Sequence, residues 1–554
     1  MERTFRSPFL DSELFVPEPD VRRARRADTL VAGSPFLDAL TDEFVDEHVE
    51  PGDESYDRRQ ASDQETGPDE DGQELFEQPV PERARTAAQT ACGLFLPVDS
   101  SDDYEKYIAA PTTGRMTPFV NGRYWGGVKP KEDQFEAFNA MQAAVEALRP
   151  GDSLFLAAWM FDPSVPLTKT NAKGVNALGN ANWGELFQRQ ARCGVKIRIL
   201  MTDFSSIFQD QYDKLYNSFL PTLDRLIAGL PKASRDNLKY VVSLHPATHL
   251  KVHVATHHQK FMVLKTGKAT TAFCGGLDLA FMRTPAYWGK LDATTYRWLW
   301  HDIHCGLEGL ITKDLEREFV MRWNREKDRS VVASRPGWKP LETLVRSAPT
   351  KADKAAARNA HPLQMLRTVS TQGAGRNIQN TRRDDIWQGY LRLIGCAKRF
   401  LYMENQYFRE PRMADAIVTQ AKAQRELLVI IVVPSETDDR PDPGKKHGDW
   451  RQHEFFVRLT KGIPASRLRV YTMFHRIIHA KLIMVDGKQA FIGSQNYTST
   501  SMDLNREVGV IISGPSNLER LRRVFDRDFS MGIPVNPYAQ PLMFATSSPA
   551  PLRQ

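Results

Sequence analysis

The sequence predicts an α/β protein: two duplicated, mixed-sheet halves sharing one active-site cleft, preceded by a disordered leader. Three observations predict it. Helical and strand-like patterns alternate from about residue 119 onward, which in a globular chain means sheets covered by helices. The same series recurs in the C-terminal part of the chain, as a duplication of a unit about 200 residues long. A His-x-Lys motif occurs once in each copy, His258-Gln-Lys260 and His479-Ala-Lys481, 221 residues apart.

Residues 1–115 read as an acidic, largely disordered leader, rich in Asp, Glu, Pro, Arg and Ser and poor in apolar periodicity. Within it Ser7-Pro-Phe-Leu-Asp11 returns as Ser34-Pro-Phe-Leu-Asp38, two apolar clusters on a polar tail. They suit short docking segments for delivery machinery or a chaperone, or weak helices with no partner. Residues 116–330 form the first half. A helix fits 133–148, ended by Pro150-Gly151, and is followed by a strand over 153–161. A helix over 183–193 and strands over 195–201 and 240–244 complete the series. Residues 331–385, rich in Ala, Lys, Arg, Pro and Gln, read as a linker or long loop. In the second half, 386–540, a helix at 386–397 precedes strands at 399–408, 427–433 and 468–471, with a hairpin-like stretch from Ile478. Residues 541–554 are a tail.

Composition narrows the function. The net charge of +6 is an average over unlike parts. Between Asp38 and Glu82 there are 17 acidic residues against Arg58 and Arg59, a balance of −15 that leaves +21 on the rest. A basic body carries an acidic segment. The five cysteines are widely spaced and form no Cys-x-x-Cys pair, so neither a disulfide framework nor a zinc ribbon is expected. The longest apolar runs, such as Leu427–Val433, are too short to span a bilayer, and the N-terminus has no apolar signal core. Synthesis as a soluble cytoplasmic protein is expected. Later export or injection as an effector rests on the leader alone.

The chemistry sits around the two motifs. The second copy reads His479-Ala-Lys481-Leu-Ile-Met-Val-Asp486, then Gly493-Ser494-Gln-Asn496; the first reads His258-Gln-Lys260-Phe-Met-Val-Leu-Lys265, then Gly275-Gly276-Leu-Asp278. One His-x-Lys is common by chance. Two, each followed by an apolar strand and a small-residue turn, form a constellation. Positions i and i+2 of a strand face one side, so each histidine points with its lysine. Folding the halves about a pseudo-twofold brings both pairs into one cleft. Two imidazoles and two ammonium groups there suit a phosphate. One imidazole can attack phosphorus, and the other can protonate the leaving oxygen and then deprotonate water. The lysines and Asn496 can stabilise the equatorial oxygens. No metal and no cofactor is needed. His245, His249 and His253 are spaced by four, but Pro246 and strand-like surroundings spoil a metal-binding helix face.

Further segments carry a resemblance. Thr256-His-His-Gln-Lys260, Gly275-Gly-Leu-Asp-Leu279, Trp300-His-Asp-Ile-His-Cys305, Glu308-Gly309, Arg322-Trp323, Glu404-Asn-Gln-Tyr-Phe408 and the run from Ile478 to Val510 resemble the eukaryotic-type pattern of the phospholipase D superfamily, the double-HKD enzymes. The similarity covers roughly residues 120–535. It implies the bilobal duplicated phospholipase D fold on a bacterial-type chain. It implies hydrolysis of the distal phosphodiester of phosphatidylcholine-type glycerophospholipids to phosphatidate and free headgroup, through a phosphohistidine that alcohols can also intercept. By the same resemblance His258 is the nucleophile and His479 the general acid/base. Lys260, Lys481 and Asn496 bind phosphate, Asp278 and Glu507 orient the histidines, and Asp486 closes the second motif. Gln259, Gly276 and Ser494 line the substrate. The first motif departs from the pattern, with Lys265 where the second has Asp486. If that aspartate supports the fold, activity survives; if it tunes the site, activity falls. Trp300-His301-Asp302 is, by the same resemblance, a structural or substrate-proximal element.

The expected partner is a phospholipid membrane surface, met by the basic body, and a monomer is expected because both halves are fused. Two other readings stand beside this one. A superfamily nuclease fits the +21 body, although many nuclease members are single-motif chains that dimerise, and nucleic acid is disfavoured as a partner. A catalytically weakened lipid-binding effector fits Lys265 and the leader.

Overall fold

The structure is a computed structural model. It describes residues 93–122, 135–171, 173–204, 209–246, 255–280, 299–334, 340–358, 360–371, 381–434, 447–473, 476–514, 516–519, 521–522 and 533–538. The Ser-Pro-Phe-Leu-Asp repeats, the acidic stretch, His249, His253 and the tail lie outside the described residues.

The first half runs β1 (Thr112–Asn121), α1 (Glu136–Glu146), β2 (Ser153–Ala158), α2 (Trp183–Arg192), β3 (Lys196–Thr202), α3 (Gln209–Lys214), a π turn (Leu215–Phe219), α4 (Leu220–Ala228) and β4 (Leu238–Ser243). An antiparallel series follows, β5 (Phe261–Lys265), β6 (Thr270–Gly275) and β7 (Leu299–Gly309), closed by α5 (Ile311–Glu326). After α6 (Lys351–Ala357) the plan repeats: β8 (His361–Thr371), β9 (Thr381–Asp384), α7 (Asp385–Cys396), β10 (Phe400–Glu404), α8 (Pro411–Ala423), β11 (Leu428–Pro434), α9 (His447–Gly462) and β12 (Leu468–Met473). Then come β13 (Arg476–Ile478), β14 (Leu482–Val485), β15 (Gln489–Gly493), α10 (Ser499–Asp503), β16 (Glu507–Ser513) and β17 (Ile533–Val535).

The parallel strands read as nearly continuous apolar runs because both faces are covered. Val429 to Val433 of β11, for instance, are all buried. Helix starts are fixed locally: Asn182 accepts the backbone N–H of Glu185 at the head of α2, and Pro411 opens α8. Gly151, with φ of 89°, makes the turn into β2 that Pro150-Gly151 predicted.

In the first half the strand order is β4-β3-β2-β5-β6-β7, with β2, β3 and β4 parallel and the rest antiparallel. In the second it is β12-β11-β10-β14-β15-β16, with the same senses. β1 then pairs with β7, β8 pairs with β16, and β1 and β8 pair with each other. The pseudo-twofold passes between β1 and β8. A second junction lies at the ends of the motif strands. β13, just before His479, runs parallel to Leu299–His301, and His257 bridges Arg506. One core fills each half, and a third at the junction combines β5–β7 with β8, β14 and β16 around α5.

Two expectations are corrected. The leader does not extend to residue 115, because the chain is packed from Gly93 onward: Leu94, Leu96, Tyr104 and Tyr107 are buried, and β1 begins at Thr112. The stretch 331–385 is not a linker. It holds α6 and β8, the strand that opens the second copy as β1 opens the first. In both places the opening strand was hidden by proline, at Pro118 within β1 and Pro362 within β8, which argues against a central strand. Cys396 is disulfide-bonded, while Cys193, Cys274 and Cys305 are free thiols.

Candidate active site

The motif histidines sit just before β5 and β14, at the edge of the sheet where the two halves meet. The backbone N–H of His258 donates to Arg506 O at 2.9 Å, and that of Arg506 to Thr256 O at 2.9 Å. The N–H groups of His479 and Ala480 donate to His301 O at 2.8 and 3.1 Å. Each histidine is thus anchored to the opposite half before its side chain is considered.

The imidazoles repeat this exchange. His258 Nδ1 lies 2.9 and 3.0 Å from the two carboxylate oxygens of Glu507, and His479 Nδ1 lies 2.6 Å from Asp302 Oδ2. All four side chains are buried. A carboxylate facing Nδ1 holds the proton there and leaves the Nε2 lone pair free for chemistry. Glu507 is itself held, accepting from Ser501 Oγ at 3.0 Å, from Asn505 Nδ2 at 3.3 Å and from Ser494 Oγ. Indole rings flank the imidazoles edge to face, Trp159 at 6.0 Å from His258 and Trp300 at 5.0 Å from His479.

The lysines behave as the strand alternation requires. Lys260 Nζ donates to His258 O at 3.1 Å, and Lys481 Nζ to His479 O at 2.8 Å, so each ammonium folds back beside its histidine. Lys260 also pairs with Asp278 Oδ2 at 3.3 Å. Nearby histidines stay uncharged. Burial, with Arg322 and Arg506 close by, holds His245 and His257 well below the usual imidazole range, and burial brings His304 down to about 4.

Several assignments change. Asp278 does not orient a histidine. Its Oδ1 accepts the backbone N–H groups of Trp159 and Met160 at 3.1 and 3.2 Å, and its other oxygen faces Lys260. Asp302 takes the role expected of it. The duplication itself points to Asp302. The registers Gly275↔His304 and Gly493↔Gly509 make Asp302 the counterpart of Glu507. Asp486 stands away from the reacting groups, in a left-handed turn at φ 51°, accepting the backbone N–H groups of Lys398, Arg399 and Phe400.

The residues expected to line the substrate also move. Gln259 points the other way from His258 and Lys260, donating to Glu318 at 2.8 Å and accepting from Arg322 at 3.2 Å. Ser494 braces Glu507. Gly276 makes room for Asp302, since a Cβ there would lie 2.4 Å from Asp302 Oδ1. Asn496, buried, occupies in the Gly-Ser-Gln-Asn turn the place of Asp278 in the first; Tyr497 and Leu279, which follow them, bridge Phe408 and Phe161.

Lys265 has a structural explanation. It pairs with Glu316 at 2.7 Å over the Phe155 ring. The turn after it, Thr266–Ala269, is one residue longer than Asp486–Lys488 and is bonded through Asp152, whose Oδ1 accepts the N–H of Gly267 at 3.3 Å. In the second half Asp486, on the turn, holds the segment before β10, whereas in the first half Asp152, just before β2, holds the turn.

Residues 284–414 match the family model described as "Phospholipase D", and 390–529 the one described as "Cardiolipin synthase, PLD-like domain". The chain is 22% identical over 499 residues to phospholipase D alpha 4 of Arabidopsis thaliana, covering 72% of this chain and 63% of the relative. It is 23% identical over 442 residues to phospholipase D A of Dictyostelium discoideum, covering 67% of this chain and 31% of the relative. These matches support the phospholipase D superfamily. Among solved structures, phosphatidylserine synthase of Haemophilus influenzae superposes with a TM-score of 0.51 at 11% identity, covering 82% of this chain and 92% of that one. That likeness shows the shared fold, with its two halves. The chain spans less than two thirds of the length of these phospholipase D relatives.

Proposed function

We propose that the protein is a phospholipase D-type phosphodiesterase that cleaves the distal phosphodiester of phosphatidylcholine-type glycerophospholipids at a membrane surface. The observation that carries this reading is the exchange of carboxylates, His258 with Glu507 and His479 with Asp302, each histidine having a lysine two residues on. Phospholipase D relatives matched over about 70% of the chain support the substrate class. Among the described residues no helix is long and apolar enough to cross a membrane, so the reading rests on contact from outside the bilayer through the basic body.

The residues suit a two-step displacement. Nε2 of His258 attacks phosphorus while the bond from phosphorus to the headgroup oxygen breaks, and His479, protonated, gives that oxygen its Nε2 proton. Water or an alcohol then loses its proton to His479 and attacks phosphorus. The phosphorus–nitrogen bond breaks, and phosphatidate or a phosphatidyl alcohol leaves with His258 restored. In this reading Lys260, Lys481 and Asn496 meet the phosphoryl oxygens.

The test is an assay on phosphatidylcholine vesicles with chelator present, following free choline and, with ethanol added, phosphatidylethanol. Both products are expected, and both are expected to vanish in His258→Ala. No turnover, or turnover indifferent to that substitution, overturns the proposal. Degradation of DNA under the same conditions would point to a nuclease instead.

A further inference from the structure

The segment between Gly93 and β1 lies along one face of α5. Thr112 Oγ1 donates to Asp314 at 3.2 Å, Arg317 to Ser101 O at 2.6 Å, and Arg325 pairs with Glu105. At the middle of this face the hydroxyls of Tyr104 and Tyr107 both donate to Glu318, each at 2.6 Å. Arg367 of β8 also reaches Glu318, at 3.2 Å, and donates to the carbonyl oxygens of both tyrosines. Glu318 is wholly buried, and the other group it receives is the amide of Gln259. Gln259 lies between His258 and Lys260 and faces away from them. It is the side chain through which the motif strand is gripped from behind.

We propose that residues 94–109 are a strap that positions the first motif, with Tyr104 and Tyr107 as positioning residues acting through Glu318 and Gln259. A buried carboxylate that receives an amide, two hydroxyls and a guanidinium is fixed from every side, and whatever it holds is fixed with it. Nucleophilic attack tolerates little displacement; a shift of about 1 Å can cost roughly 100-fold in rate. The strap touches neither histidine, yet the position of the segment carrying His258 depends on it. This inference rests on the phosphodiesterase reading above.

The test uses the full chain and a soluble phosphodiester, bis(4-nitrophenyl) phosphate, beside phosphatidylcholine. Tyr104→Phe with Tyr107→Phe keeps both rings and removes only the two hydroxyls. We expect kcat to fall about 10-fold with KM unchanged, as for a group that orients the nucleophile rather than binds substrate. Gln259→Met should lower kcat similarly, and adding the tyrosine changes to it should bring no further loss, since both act through one link. Glu105→Gln, which removes the ion pair with Arg325 but none of the groups on Glu318, should leave kcat unchanged. Unchanged kcat in the double tyrosine variant, or losses that multiply on the Gln259→Met background, overturns the proposal. Amide hydrogen exchange over residues 255–262 is read in parallel and needs no turnover. Faster exchange in the double tyrosine variant than in Glu105→Gln supports the strap, and equal exchange overturns it. A wild-type chain inert toward both substrates sinks the phosphodiesterase reading, while the exchange measurement still decides the strap.

Discussion

Asp302 holds the imidazole of His479 at 2.6 Å, although 177 residues separate them and they belong to different copies of the duplicated unit. The bond fixes which nitrogen of His479 carries the resting proton. Asp302→Asn keeps the shape, but its amide can donate to Nδ1 and so favour the tautomer with the proton on Nε2. We expect kcat to fall by about 10- to 100-fold or more, with a smaller effect on KM. Glu507→Gln should do the same to His258. Steady-state rates on a phosphodiester check both, and a variant with wild-type kcat would show that the carboxylate is dispensable.

Gly276 belongs to the same mechanism through space rather than charge. A Cβ at this position meets Asp302 Oδ1 at 2.4 Å. Gly276→Ala must therefore push the carboxylate off His479 or shift the turn. The expected outcome is a loss of about 10-fold or more in kcat, with a destabilisation of about 1–3 kcal/mol. Rates and denaturant midpoints, measured together, separate the two effects.

Lys265 invites a restoring substitution, and the structure says that it should fail. In Lys265→Asp a carboxylate replaces the ammonium that pairs with Glu316, whose charged form Lys265 and Lys313 favour, keeping Glu316 below the usual carboxylate range. Asp152 already serves the turn. The variant should lose about 1–3 kcal/mol of stability, and its kcat per folded molecule should not rise. An increase in kcat would return the residue to the active site.

Stability should fall steeply in mild acid. His245, His257 and His304 are held neutral in the native state by burial, His304 down to about 4, so between about pH 6.5 and pH 4 the unfolded chain binds protons that the folded one does not. With depressed native values, stability rises with pH across this window and drops as pH falls through it, by about 1.4 kcal/mol per pH unit for each histidine. His304→Gln should flatten the dependence by one such increment. Urea midpoints from pH 4 to pH 7 give the slopes.

The duplication and both motifs were legible because each rests on a local pattern: an apolar run, a turn residue, an i, i+2 pair. What stayed hidden depended on distant contacts. β1 and β8 carry prolines and look like poor strands, but they are held between β7 and β16. Asp302 sits in a run that resembles a structural element, and only the register of β6 on β7 aligns it with Glu507. Asp278 looked like a histidine partner from its place in the turn, until the backbone of Trp159 and Met160 claimed one oxygen and Lys260 the other. Gln259 is the reverse case, since strand alternation alone turns it away from the cleft.

The crossed carboxylates also bear on synthesis. His258 and the carboxylate that holds its Nδ1, Glu507, lie 249 residues apart in the chain. A nascent chain therefore carries His258 without that carboxylate until 249 further residues have been added, and the imidazole gains its fixed tautomer only when the second copy folds against the first.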